Sequence, residues 1–136
     1  MIVDAAINRP AVIAEVRAAF DDYEAALRAH DVTRLNDYFL PRADTVRFGL
    51  DEHNFGAAAI AAWRRGAKPV SPDRRIVRVI ITGFGDDTAS VSAEFQTPDS
   101  QLIGRQSQLW VRVAGGWKIA AAHVSEIDPV RLGDSS

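Results

Sequence analysis

The side chains best able to do chemistry gather in one stretch. Gly104 to Ser125 reads GRQSQLWVRVAGGWKIAAAHVS, two apolar, β-rich runs flanking the Gly115-Gly116 step, with His123-Val124-Ser125 where the second run finishes. Strand alternation groups Arg105, Ser107, Leu109, Val111 and Val113 on one face of the first run, and Trp117, Ile119, Ala121, His123 and Ser125 on one face of the second. With both sets turned inward, an otherwise apolar floor carries Arg105, Ser107, His123 and Ser125, which is how a small pocket is usually built. His123 titrates near neutrality and suits an acid, a base or a hydrogen-bonding partner for a ligand. A strand histidine is also often a satisfied core residue. Ser125 is a poor candidate nucleophile, because same-face neighbours on one strand lie about 6.5 to 7 Å apart at the backbone and a triad also needs an orienting acid and an oxyanion hole.

Arg47 and Arg105 are the more informative pair. A guanidinium in an apolar cavity is costly unless it meets a carboxylate, and its planar fork suits bidentate recognition of one. That carboxylate can belong to a ligand or to Asp51, Glu52 or Glu94 within the chain. Tyr38 offers a hydroxyl to the pocket or packs in the core. Trp63 faces the pocket mouth or the core, and Trp117 packs within. Trp110 falls on the outward face, where a second subunit would cover it, so the expected assembly is a homodimer through that sheet face. Arg64 and Arg65 close a helix, where their charges oppose its dipole.

What holds these residues is an order of helices followed by strands. Pro10 suits a helix's first turn, and Val12, Val16, Phe20, Tyr23 and Leu27 then form one apolar stripe ending near His30. Asp31 caps a shorter helix that Pro41 stops. Thr45 to Phe48 reads as a short strand and Gly49 to Asn54 as turn. Gly56 opens an alanine-rich helix, and Gly66 closes it as a residue free to adopt positive φ. Arg75 to Thr82, Thr88 to Gln96 and the two runs around Gly115-Gly116 give four strands joined by turns. The expected fold is α+β: a cone-shaped roll, its curved, mostly antiparallel sheet wrapped around three N-terminal helices. One domain is expected over residues 1–136, with its core at about 10–127 and a tail at 128–136.

Composition narrows the function classes. The chain has 136 residues, a net charge of −2 and no cysteine, which argues against nucleic acid or anionic membrane as partner and excludes disulfides and thiolate chemistry. His30, His53 and His123 do not stand at metal-ligand spacing, and no Gly-rich phosphate loop follows a strand, so neither metal nor cofactor is expected. No hydrophobic run approaches the roughly 20 residues of a membrane span, no export signal opens the chain, and a soluble, cytoplasmic protein is expected.

The element order and the Gly116-Trp117-Lys118-Ile119 to His123-Val124-Ser125 ending resemble the nuclear-transport-factor-2-like superfamily, in particular its SnoaL-like branch. Lys118 departs from that branch's strictly apolar run. Within it, Thr45-Val46-Arg47-Phe48-Gly49, Asn54-Phe55-Gly56 and Ile60-Ala61-Ala62-Trp63-Arg64 are similar to the AtzH-like family. The resemblance implies a conical pocket, a sheet-mediated dimer, and a place beside amidases in oxalurate and triazine-derived nitrogen catabolism. It also implies that Arg47, Arg105 and His123 receive an anion. The reading is therefore a pocket protein for a small carboxylate or ureide-like compound, lined by Arg47, Arg105, His123, Ser125, Tyr38 and Trp63. Two alternatives stand beside it: a SnoaL-like isomerase or hydrolase moving a proton with His123, and an oligomerisation module like the association domain of calcium/calmodulin-dependent kinases. A ketosteroid-isomerase-like carboxylate base has no clear inward position, unless Glu52 folds over the pocket.

Overall fold

The computed structural model describes residues 1–135. After a short 3-10 turn, Asp4–Ala6, helix α1 spans Pro10–Ala29 and α2 spans Val32–Asp37. The expected stripe is the buried face of α1, including Val16 and Phe20. His30 ends α1 in the left-handed region at φ 52°, its N–H bonded to the carbonyls of Ala26 and Leu27. The Asp31 carboxylate then accepts the Arg34 N–H at 3.2 Å, the cap that starts α2.

Strands β1 (Val46–Phe48) and β2 (His53–Phe55) precede α3 (Ala57–Gly66). β2 begins within Gly49 to Asn54, the stretch that the sequence reading assigned to turn. Gly66 is the last helical residue of α3 rather than a positive-φ cap, and Ala67 continues in extended conformation. Strands β3 (Arg75–Phe84), β4 (Thr88–Gln96), β5 (Ile103–Val113) and β6 (Gly116–Ile127) form an antiparallel meander. A second 3-10 segment, Pro129–Ser135, makes up the expected tail, whose last residue, Ser136, lies outside the described residues.

One six-stranded sheet results, in the order β2-β1-β6-β5-β4-β3, antiparallel except where β1 runs parallel to β6. Its inner face packs on the helices through Val91, Trp110, Trp117 and Ile119, with Val16, Phe20, Tyr23, Leu35 and Ile60 opposite. The α+β roll expected from the sequence is the fold observed.

The faces of the central hairpin differ from the expectation in two ways. On β5 the inner set is Gln106, Gln108 and Trp110, while Arg105, Ser107 and Leu109 are exposed. On β6 the register shifts: Trp110 pairs with Ile119 but Leu109 pairs with Ala121, leaving Ala120 as the extra residue of a bulge. A bulge inverts alternation beyond itself. Trp117 and Ile119 therefore point inward, as expected, whereas Ala121, His123 and Ser125 point outward.

Candidate functional site

The register aligns one inner row across all six strands: Asn54, Arg47, Ala122, Gln108, Val91 and Ile81. Its β4 and β3 members are apolar and belong to the core. The other half is polar, and Ala122 in its middle projects only a methyl group. Above that gap α1 and α3 leave a cavity of about 650 Å³, lined from the helices by Tyr23, Leu27, Trp63 and Arg64 and from the sheet by Arg47, Gln108, Ala122 and Val124. Lys68, Ser71, Asp51 and Glu126 also line it.

Arg47 holds the β1 side. Its Nη1 donates to Glu52 Oε1 at 3.2 Å and to Asn54 Oδ1 at 3.3 Å. Its Cζ stands 3.8 Å from the Trp63 ring centroid, a cation–π contact. Burial, and secondarily the neighbouring Arg64 charge, pull its pKa below the ordinary guanidinium value. Glu52 reaches it across a tight bend at Gly49, where a Cβ would lie 2.5 Å from Arg47 Nη1 and 2.6 Å from Glu52 Oε1. A side chain at this position would make the ends of Arg47 and Glu52 shift.

Arg64 is the unusual group. It is 6% exposed, yet its recorded protein contacts are a 3.3 Å hydrogen bond donated to the Tyr23 hydroxyl and a 4.6 Å approach to the other partner of Arg47, Trp63. Its Nε–H has no acceptor, and no carboxylate pairs with it among the described residues. A buried guanidinium left in this state strongly favours an anion beside it.

Deeper along the sheet, charge is fully matched. Arg74 donates to Glu24 at 3.0 and 3.2 Å and to Gln106 Oε1 at 3.1 Å, and Gln106 Nε2 donates back to Glu24 at 2.8 Å. Arg74 also stacks 3.7 Å over Phe95. This network builds one wall, and in it the Glu24 carboxylate is taken up by Arg74 and Gln106.

The structure therefore brings Arg47 and Trp63 to the cavity and leaves the other candidate residues elsewhere. Arg105, His123 and Ser125 lie on the outer sheet face, where Arg105 Nε donates to Ser125 Oγ at 3.2 Å and His123 packs edge-on to Phe48 at 5.8 Å. Tyr38 lines a separate small cleft with Asp22, Arg34 and Lys118. There its hydroxyl donates to Asp22, which also pairs with Arg34. Burial and that hydrogen bond push the Tyr38 phenol up to about 12, while the Arg34 and Tyr38 hydrogen bonds hold Asp22 below the usual carboxylate range. Trp110 is completely buried beneath the helices and cannot form a subunit contact. Among the described residues no three His, Cys, Asp or Glu side chains are grouped to hold a metal, and no helix is long and apolar enough to cross a membrane.

Sequence reasoning missed Arg64, Tyr23 and Gln108 as site residues. For Arg64 a signal existed: Ile60, Trp63 and Arg64 stand at i, i+3 and i+4, so the arginine continues an apolar stripe that helix-end electrostatics does not explain.

A family model described as AtzH-like matches residues 5–129. Among solved structures, a cystatin-like fold protein from Burkholderia xenovorans LB400 is 46% identical, covers 89% of this chain and 95% of its own, and superposes with a TM-score of 0.87. A protein of unknown function from Pectobacterium atrosepticum is 39% identical, with 93% and 99% coverage and a TM-score of 0.90. A nuclear transport factor 2-like superfamily protein from Salmonella enterica shares the fold at 18% identity, with a TM-score of 0.72 over 91% of this chain and 96% of that one. No curated protein matches the sequence.

Proposed function

The chain belongs to the AtzH-like family, and on that premise we propose that its cavity binds a small carboxylate or ureide-like compound, with Arg47 and Arg64 receiving the anionic end. The observation that carries this reading is Arg64: buried, without a carboxylate, and with an unsatisfied Nε–H. A carboxylate between the two guanidinium groups would supply charge-assisted hydrogen bonds and offset both the burial and, secondarily, the Arg64 repulsion that lower the pKa of Arg47. Both arginines stand against the Trp63 ring, at 3.8 and 4.6 Å from its centroid.

The test is a thermal-shift and calorimetric screen of small carboxylates and ureido acids against wild type and Arg64→Ala. A ligand at 100 times its Kd stabilises the fold by about 2.7 kcal/mol. A rise in Tm that scales with ligand and disappears in Arg64→Ala is the expected result; no shift with any anion would remove the reading.

The accessory role beside an amidase in nitrogen-compound catabolism rests on the family resemblance, and the cytoplasmic location on the sequence reading alone. The proton-moving isomerase or hydrolase reading loses its histidine, because His123 is exposed on the other side of the sheet. The assembly reading keeps one supporting observation. The outer face carries exposed Phe55, Ile80 and Leu109, and an apolar groove of about 590 Å³ runs past Phe48 and Ala121. A homodimer through this face is compatible with an open cavity, and sedimentation of wild type against Leu109→Arg tests it.

A further inference from the structure

Gln108 stands opposite Arg47, and its amide has a fixed orientation. It is 5% exposed, and its Oε1 accepts the Trp110 indole N–H at 2.9 Å. An indole nitrogen is a donor only, so the atom facing it must be the amide oxygen. Nε2 is thereby turned away from Trp110, and it donates no hydrogen bond within the protein among the described residues, on a side chain that lines the cavity. In the same network-rich wall, Gln106 has both ends of its amide engaged. The two glutamines look alike in sequence and differ in this one respect.

Register supplies the geometry. Arg47 and Gln108 both pair with Ala122, one from each side. Their Cα atoms are thus two strand spacings apart, about 10 Å, and both side chains rise toward the same cavity with only a methyl group between them. A ligand lying over Ala122 meets the Arg47 and Arg64 guanidiniums at one end and an N–H donor at the other. The carboxylates of Asp51 and Glu126, also on the lining, belong to the exposed bend and to the far end of β6.

We propose that Gln108 is a specificity-determining residue that reads a carbonyl oxygen, so that the ligand of the proposed carboxylate site is an oxo or amide-bearing carboxylate. This rests on the anion reading above and narrows it. A ligand with a methyl at that position leaves a nearly buried amide N–H pair unsatisfied, and one with an ammonium there meets the Gln108 N–H rather than an acceptor. A site built to hydrogen-bond one group rejects its apolar analogue for this reason.

The probes are 4-oxopentanoate and 4-methylpentanoate, which match in shape and exchange a carbonyl oxygen for a methyl group. They are titrated calorimetrically into wild type, Gln108→Met and Gln108→Glu, with 4-aminopentanoate as a third ligand. The expected wild-type preference for the oxo acid is about tenfold or more, with the amino acid weakest. Gln108→Met should bring the oxo/methyl ratio close to one while leaving affinity for 4-methylpentanoate intact. Should that variant lose its near-ultraviolet dichroism, Gln108→Glu, which keeps an acceptor for Trp110, must show the same collapse of the ratio. A ratio unchanged in the folded variants, or equal affinity of wild type for the oxo and methyl acids, overturns the proposal. Failure of wild type to bind any of the three marks failure of the anion reading itself, and the proposal goes with it.

Discussion

Replacing Arg64 by methionine should make the empty protein more stable and the site nearly useless. In the free protein Arg64 gains one hydrogen bond to a neutral hydroxyl, about 1 kcal/mol, and a contact with Trp63 in the range of about 0.5–2 kcal/mol. Against these stand an unsatisfied buried donor, about 1–3 kcal/mol, the desolvation of a whole charge at several kcal/mol, and repulsion from Arg47. The balance opposes the arginine. Methionine fills similar volume without either penalty, so a gain of about 1–2 kcal/mol is expected. In a domain of this length that is a rise in Tm of roughly 3–8 °C, by interpolation between the smaller and larger proteins for which the conversion is known. Carboxylate affinity should fall at the same time by about 10- to 100-fold, the loss of one or two charge-assisted hydrogen bonds. Differential scanning calorimetry of the free variant and titration calorimetry with the best carboxylate measure the two quantities on one preparation. A large drop in Tm with unchanged binding would show that Arg64 is a structural group and that its isolation from carboxylates has no bearing on a ligand.

The remaining expectations concern the groups around the cavity. Glu24→Gln leaves Arg74 buried without its counter-ion, so urea unfolding should show a loss of about 3–5 kcal/mol; a loss under about 1 kcal/mol would mean Gln106 alone satisfies Arg74. For Tyr38, whose phenol is raised to about 12, the fold favours the protonated form. Its stabilising contribution is complete below the ordinary value of about 10 and is lost as pH rises through about 12. Near-ultraviolet difference titration should show a late phenol ionisation that Tyr38→Phe removes. Gly104→Ala would place a methyl 2.1 Å from Phe95 Cε2, the ring on which Arg74 stacks. The expected cost is about 1–3 kcal/mol in thermal denaturation, and no change would show that the Phe95 ring moves freely.

The helical layer was legible because a period of 3.6 residues has only one apolar stripe: Val12 through Leu27 leaves no second choice of face. The sheet was less so. Alternation along β5 states that Arg105 and Gln106 lie on opposite faces but not which face is inside, and the answer came from Trp110, whose bulk had to be buried together with Gln106 and Gln108. On β6 the bulge sits at Ala120 in a run of three alanines, where no change of polarity marks the extra residue, and it carried His123 and Ser125 to the far side. Arg47 was found because a guanidinium in an apolar setting needs an anion and because it matches the AtzH-like pattern, and Trp63 because the α3 stripe is a local feature. Arg64 was hidden by a sound rule applied at the wrong place: arginine at a helix C-terminus does favour the dipole, but this one is on the buried side of the helix. Gln108 carried no signal at all, since its meaning depends on the orientation fixed by its neighbour two residues on.

The most direct measurement is the arginine side-chain nitrogen–proton spectrum of the labelled protein, with the Arg64 Nε–H assigned from an Arg64→Lys sample and followed through a carboxylate titration. An Nε–H that lacks an acceptor in the free protein should move downfield and saturate as the anion binds, with Arg47 responding at the same midpoint. An Arg64 resonance that stays fixed while the protein binds the carboxylate elsewhere would contradict the assignment of the cavity as the anion site.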